Sequence, residues 1–550
     1  MIDNIQHYVT RSAHKNPDRV ALHDALGRTT YGELEAATNQ GARLLRDSGC
    51  GGGDRVCVLS AKSSATIASL VSVLKAGGVY VPVDSASPAA RVGRILDAAE
   101  PAVVLVDGSA SGLVDDLVAG GRLGAGTRIG AVGSPASGER FTTAFSLSDV
   151  AGVSDRELPG TRSGDDLAHL LFTSGSTGAP KGVGITHRNV LAFVEWATGY
   201  FGTSPEDRIS GHPPLHFDLS TFDMFATFAA GAELHPVPAS LGMDPRGMAR
   251  FIRERDLTQW FSVPAVLTLL AKFDAVADGD FPALERLMWC GEVLPTPVLR
   301  HWMRRLPHVR FTNLYGPTEA TIASSVYTVP ELPASETDPI PIGTACDGEE
   351  LLVLDEALRP APTGEIGDLY IAGVGLSPGY WRDPARTAEV FLPDPRDPAE
   401  RIYRTGDLAR VGDGGLVEFL GRADSQIKSR GYRIELGEIE TAVNAVPGVK
   451  ECAVVGVPTE GFEGTAICCA LAVGGTGDGD GDGDGDGDGD GPGIADLRAG
   501  VRELLPGYMV PARWEFLPAL PKNVNGKIDR RAVRERFLAA AAASENGKVR

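Results

Sequence analysis

Cysteine is sparse in this chain: seven residues in 550, scattered, with only Cys468 and Cys469 adjacent. No C-x-x-C spacing occurs, so neither a cysteine zinc site nor a disulfide framework is indicated. A run of about eighteen apolar residues is also missing, as is an apolar signal-type core in residues 1–19. Positive charge is in short supply, with 52 Lys and Arg against 72 Asp and Glu and a formal net charge of −20. That balance argues against nonspecific nucleic-acid partners and against an anionic membrane surface. Seven of the acidic residues belong to one Gly-Asp tract, so the remainder carries an ordinary solubility charge. These absences describe a soluble, reduced, cytoplasmic protein. With 43% hydrophobic residues the chain can bury large cores, and its length suggests roughly two to four domains.

Short apolar runs alternate with helix-period segments through most of the sequence, the pattern of α/β architecture. Residues 64–75 read as a helix ended by Ala76-Gly77-Gly78, and residues 79–83 as a strand. Residues 167–172 read as a strand, 188–198 as a helix, and a further helix runs from Glu435 to about Ala445. Residues 450–457 and 466–473 read as buried strands. Between about residues 474 and 493 lies near-pure Gly-Asp alternation, which cannot bury apolar area and is expected to be a disordered surface insertion. Calcium-binding β-roll repeats need an apolar residue in each turn, and none is present.

The segment Phe172-Thr173-Ser174-Gly175-Ser176-Thr177-Gly178-Ala179-Pro180-Lys181-Gly182 concentrates hydroxyls, glycines and one lysine after a strand. Glycines bring backbone N–H groups close to a ligand, hydroxyls donate further hydrogen bonds, and Lys181 adds a point charge, so the loop suits a polyphosphate. The common G-x-x-x-x-G-K-[ST] template fails here, because Pro180 stands where the second glycine belongs and Gly182 follows the lysine. Further segments supply matching chemistry. Asn313-Leu314-Tyr315-Gly316-Pro317-Thr318-Glu319 offers an aromatic face, a turn and a carboxylate. Tyr403-Arg404-Thr405-Gly406-Asp407-Leu408 places an aspartate after a glycine, suited to paired sugar hydroxyls. Gly421-Arg422-Ala423-Asp424 precedes Gly431, and Leu520-Pro521-Lys522-Asn523-Val524-Asn525-Gly526-Lys527 presents a lysine on a loop. Singly, each is an ordinary turn or a solvated side chain.

Together and in this order, the segments resemble the adenylate-forming ligases, above all the amino-acid adenylation domains of nonribosomal peptide synthetases. The resemblance starts at Thr30-Tyr31-Gly32-Glu33-Leu34, passes through Leu74-Lys75-Ala76-Gly77-Gly78 and Gly364-Glu365-Ile366-Gly367-Asp368-Leu369, and ends at Lys527. It implies a large multi-sheet N-terminal adenylation core over residues 1–423 and a small mobile α+β C-terminal subdomain over 424–550. It also implies ATP and Mg²⁺ as cofactors, an amino-acid substrate, and transfer to the phosphopantetheine thiol of a separate carrier protein or to CoA. By resemblance, Thr173, Ser174, Gly175, Ser176, Thr177 and Lys181 would hold the β- and γ-phosphates, and Glu319, beside Thr318, would bind Mg²⁺. Tyr315 would stack on adenine, Asn313 would meet its amino edge, and Asp407 would accept the ribose hydroxyls with Arg422 nearby. Gly291, Glu292, Leu314 and Gly316 complete the nucleotide contacts. Lys527 would bridge the substrate carboxylate and the α-phosphate. Asp424 matches a hinge position, about which Gly431 would swing in for thiol transfer; a turn aspartate explains Asp424 equally well.

The run from His216 to Phe225 aligns with the segment that opens the acyl pocket. Asp218 matches the carboxylate that pairs with an amino acid's α-ammonium, although a surface or capping aspartate, or the rival Asp223, is the plain alternative. Leu219, Phe222, Ser262, Met288, Cys290, Leu314, Ile322 and Ala323 would line the rest. Since that lining is uncharged, a neutral, small-to-medium side chain is expected. His216 is either an aromatic gate or a histidine packed beside Phe217. No carrier-type serine motif follows Arg530, so a freestanding enzyme is expected. An acyl-CoA synthetase for a non-amino acid, and a non-catalytic relative, are the alternatives.

Overall fold

The computed structural model describes residues 2–123, 126–160, 162–175, 179–412, 414–424, 426–459, 464–473, 492–523 and 527–546. Ser176, Thr177 and the Gly-Asp tract lie outside the described residues. The protein is α/β and divides into two compact units. The first comprises Met1–Ser85, Ile95–Thr173 and Lys181–Asp424, and the second Ala86–Arg94, Ser174–Pro180 and Ser425–Arg550.

The first unit contains three sheets, of nine, eight and five strands. At the heart of the nine-stranded sheet, Glu233–Pro236, Arg208–Gly211, Gln259–Ser262, Arg286–Trp289 and Arg310–Tyr315 pair in parallel. Parallel neighbours need crossovers, and the helices Leu219–Ala230, Pro245–Glu254, Pro264–Lys272 and Thr296–Arg305 alternate with these strands along the chain. The strands are correspondingly buried on both faces, although polar residues such as Ser210, Gln259 and Arg286 interrupt their apolar pattern. Because they run the same way, Ser262, Trp289 and Tyr315 all end on one edge of the sheet, the edge where open α/β sheets receive ligands. Val20–His23 and Arg28–Thr30 form the far side of the sheet.

In the eight-stranded sheet, the expected strand at 167–172 is Leu167–Thr173. It pairs antiparallel with Lys181–Thr186, with Thr173 opposite Lys181. Lys181 therefore begins a strand, whereas the sequence suggested a loop through Gly182. Glycines at 182 and 184 hide the strand pattern. A Cβ at Gly182 would lie 3.1 Å from the Phe172 ring, which is why glycine is needed for this approach. The helix expected at 188–198 is His187–Phe201, opened by a Thr186–Asn189 capping box. The helix expected at 64–75 is Ser64–Ala76; Ser63 caps its start, and Gly77, at φ +86°, ends it in the left-handed region.

Two segments that carry the family resemblance have structural work here. The Thr30 hydroxyl accepts from the Glu33 N–H while Glu33 reaches back to the Thr30 N–H, starting the helix Tyr31–Asp47. Buried Lys75 pairs with Glu35 Oε2 at 2.6 Å and donates to Asn39 Oδ1 at 2.8 Å.

The second unit holds the hairpin Gln426–Ser429/Tyr432–Glu435 and a three-stranded sheet of Val449–Pro458, Thr465–Val473 and Arg513–Phe516. The helices Leu436–Asn444, Ile494–Leu504 and Arg530–Asn546 accompany them. Arg430 and Gly431, at φ +54° and +82°, make the two-residue turn whose twist suits a hairpin. Ile439, Val454, Leu471 and Leu497 are among the apolar residues that pack its core. All seven cysteines are free and buried. Among the described residues, no helix is long and apolar enough to cross a membrane.

Candidate active site

Thr173 and Lys181 face each other at the neck of the hairpin that carries the hydroxyl-rich loop. Lys181 Nζ donates to the Tyr380 hydroxyl at 3.1 Å and lies 3.3 Å from Glu319 Oε1. The Tyr380 hydroxyl donates in turn to Glu319 Oε1 at 2.8 Å, and the Lys181 ammonium sits 4.7 Å from the Tyr380 ring centre. Glu319 is fully buried, so its charge depends on these partners. Thr173 Oγ1 is buried with no hydrogen-bond partner. Tyr380 was missed at the level of sequence. It lies in the short strand Gly379–Tyr380, paired with Val183 and Gly184.

Tyr315 and Asp407 meet through a short hydrogen bond from the phenol to Asp407 Oδ2. Burial, and then the Asp407 charge, push the Tyr315 hydroxyl well above its ordinary pKa, so it stays a donor. Arg422 Nη1 donates to Asp407 Oδ1 at 2.7 Å, and the same guanidinium holds Asp424 through Nε at 2.8 Å and Nη2 at 2.6 Å. Gly406, at φ +75°, allows this packing, since a Cβ there would lie 2.8 Å from Arg422 Nη2. Asn313 Nδ2 donates to the Pro341 carbonyl at 2.9 Å. Gly316 admits the chain at 323, whose Cα a Cβ would approach to 2.5 Å.

Asp218 is the N-cap of the helix Leu219–Ala230, yet its side chain makes no capping hydrogen bond. Its Oδ2 accepts instead from Thr318 Oγ1 at 2.8 Å, beside Glu319. The capping explanation for Asp218 is therefore excluded. Asp223, the rival, is a fully buried helix residue whose carboxylate oxygens have no hydrogen-bond partner, and burial raises its pKa well above the ordinary value. The Lys62 charge acts against that rise, and its ammonium donates to the carbonyls of Gly211, His212 and Pro213.

Phe222, Met288, Cys290, Leu314, Ile322 and Ala323 belong to one buried apolar cluster together with Leu219. Ser262 Oγ accepts from Trp260 Nε1 at 3.0 Å. Cys290 is a small buried residue, and burial of the same kind pins its neighbours. His216 packs against the Phe217 ring at 5.0 Å between centres. Gly291, at φ +98°, turns the chain after Arg286–Trp289 and leads to half-buried Glu292. Thr321 and Ile322 sit at φ +58° and +74°, a left-handed conformation that β-branched residues avoid, so backbone strain is stored here. A groove of 730 Å³ lined by Trp196, Tyr200, Val326 and Asp347 contains none of the predicted site residues.

Ser174 and Gly175 group with the second unit, where Ser174 Oγ donates to the Arg433 carbonyl at 2.6 Å and accepts from the Glu435 N–H at 3.2 Å. Gly431 and Lys527 also belong to that unit. Lys527 is exposed, and its N–H donates to Asn523 Oδ1 at 3.1 Å.

The chain matches the AMP-binding enzyme family over residues 9–381 and the AMP-binding enzyme C-terminal domain over 438–527, and it belongs to that family. It is similar to an L-proline--[L-prolyl-carrier protein] ligase of Streptomyces coelicolor, at 36% identity over 91% of each chain. It is also 35% identical, over 96% of its length, to the AMB antimetabolite synthetase AmbB of Pseudomonas aeruginosa. The chain spans between 7% and 44% of AmbB and five other large synthetases. Among solved structures, the amide bond synthetase McbA of Marinactinospora thermotolerans superposes with a TM-score of 0.81 at 25% identity, covering 97% of this chain and 99% of that one.

Proposed function

We propose that the protein adenylates a neutral amino acid with ATP and passes the aminoacyl group to the phosphopantetheine thiol of a separate carrier protein. The observation that carries this reading is the Thr318 bridge. It ties Asp218, a carboxylate released from helix capping, to the residue before Glu319, so a site for an ammonium adjoins a site for phosphates. A substrate carboxylate oxygen attacks the α-phosphorus, the bond from that phosphorus to the bridging oxygen breaks, and pyrophosphate leaves. Two anions must be brought together, so the chain has to provide positive charge and alignment. Thr173, Ser174, Thr177 and Lys181 hold the leaving phosphates, and Lys527 neutralises the reacting carboxylate and α-phosphate. Tyr315 and Asn313 take the adenine, and Asp407, fixed by Arg422, takes the ribose. His216 stands as an aromatic gate to the acyl pocket.

Glu319 fits Mg²⁺: it is a hard oxygen donor, fully buried, held at present by a lysine and a phenol. When bound, Mg²⁺ supplies charge neutralisation to the phosphates. Asp218 pairs with the substrate ammonium, and the apolar cluster around Phe222 and Met288 favours an uncharged side chain. Such a side chain belongs to the class that includes the prolyl group named for the Streptomyces relative. Asp424 ends the first unit, and we place there the hinge that exchanges Lys527 for the Gly431 turn before the thiol attacks the acyl carbon and AMP departs. The reaction belongs in the cytoplasm, where ATP is abundant and thiols are reduced. The deciding experiment measures pyrophosphate release across amino acids and aryl acids, followed by thioester formation with holo-carrier protein or with CoA. Release that depends on no amino acid sinks the reading, and thioester formation with CoA alone replaces the carrier.

A further inference from the structure

The far side of the nine-stranded sheet holds a cluster that adenylation does not use. The parallel strands Val20–His23 and Glu233–Pro236 are in register at Leu22 and Leu234, which sets His23 beside Glu233 and His235. His23 Nδ1 lies 2.9 Å from Glu233 Oε1, and His235 Nε2 lies 3.3 Å from the same oxygen. The two imidazole centres are 5.2 Å apart, and one ligand atom from each of the three side chains falls within 4.8 Å of the others. Among the described residues, this is where three such groups converge.

An independent observation points to a ligand. His235 is 1% exposed; its Nδ1 has no hydrogen-bond partner, and its Nε2 meets only the Glu233 carboxylate at 3.3 Å. A buried imidazole in that condition gives up its hydration without replacement, and native structures seldom leave such groups unmet.

We propose that His23, Glu233 and His235 bind one divalent transition-metal ion, with zinc the best match. Two imidazoles and one carboxylate suit zinc chemically, and three protein ligands leave a fourth position for water. His23 and Glu233 are partly exposed and give the ion an entry path. The Arg255 charge acts on His235 and opposes a second cation; the Glu233 carboxylate offsets it. An ion here ties the N-terminal edge of the sheet, where Arg28–Thr30 has only three residues, to Glu233–Pro236.

The test uses the full chain, stripped with a chelator and then given Co²⁺ or Zn²⁺ alone. One ion per chain is expected, with visible Co²⁺ bands of nitrogen and oxygen ligation and a raised unfolding temperature. Glu233→Gln and His235→Ala should each weaken uptake by at least about tenfold, the smaller end of what even an outer-shell partner contributes. Pyrophosphate release in those variants should be unchanged. Glu233→Gln, isosteric and partly exposed, keeps the test decisive if His235→Ala does not fold. Absence of stoichiometric uptake, uptake insensitive to Glu233→Gln, or thiolate charge-transfer bands would each overturn the proposal.

Discussion

Thr318 Oγ1 donates to Asp218 Oδ2 across 2.8 Å, one residue before the buried Glu319. An anion at the start of a helix would ordinarily cap it; this one makes no capping hydrogen bond and accepts from Thr318 instead. Asp218→Asn should therefore lower kcat/KM for the amino acid by about 10²–10³-fold, the scale for losing one partner of a buried charge pair. Pyrophosphate exchange checks this against the deamino analogue of the same substrate. Equal losses on both would assign Asp218 to folding alone.

Lys181 and Glu319 form a second pair that should be separable from stability. Lys181→Ala leaves the Glu319 carboxylate buried, with Tyr380 still donating to it, and should lower exchange by roughly 10²–10³-fold. Adding Glu319→Gln should restore much of the lost unfolding temperature, because the uncompensated charge is gone, but not the activity. Recovery of activity in the double variant would remove Lys181 from phosphate binding. Glu319→Gln alone should raise the Mg²⁺ concentration for half-maximal exchange by at least about tenfold.

Lys527 and Asp424 should divide the two half-reactions. Lys527→Ala is expected to cut adenylation by roughly 10²–10³-fold and to spare thioester formation from supplied aminoacyl adenylate. Asp424→Pro is expected to do the reverse, since a fixed dihedral hinders a hinge. Single-turnover assays of each step read this directly. If Asp424→Pro impairs neither step, the hinge is elsewhere.

Acid should weaken the fold through histidines. Burial lowers His169, His187 and His212 from 6.5 to about 3. Their unfolded forms take up protons below about pH 6.5 while the folded forms do not, so stability is full above that pH and falls as pH drops toward 3. Each contributes a slope of about 1.4 kcal/mol per pH unit within that window. Urea midpoints between pH 7 and pH 5 should show it, with a shallower slope for His169→Gln. An unchanged slope would mean that the ring, stacked 4.9 Å from Tyr80, is protonated in the folded state.

Much of the architecture was legible because its causes are local. Ser63 and Gly77 mark both ends of one helix, and the buried strand Val79–Pro82 that follows reads as an apolar run. The strand beginning at Lys181 was not legible, because Gly182 and Gly184 serve a close approach by another segment and erase the side-chain pattern. Tyr380 was hidden for a related reason: its importance comes from Lys181 and Glu319, 199 and 61 residues away. Asp218 could be nominated by motif, but only the geometry separated it from capping. The strain at Thr321 and Ile322 has no sequence signal, because both residue types disfavour the conformation they adopt.

The proposed acyl pocket shares its residues with the apolar cluster that supports the domain. Phe222 meets Phe193 and Phe261 edge to face at 5.4 Å each, and Met288 ends within the same apolar cluster. Retuning the enzyme for a bulkier or smaller amino acid is consequently a repacking problem: each exchanged side chain opens a void or a clash in the scaffold. Libraries that vary Phe222 or Met288 alone should yield insoluble variants more often than new specificities. Those that co-vary Phe193 and Phe261 give the scaffold room to follow.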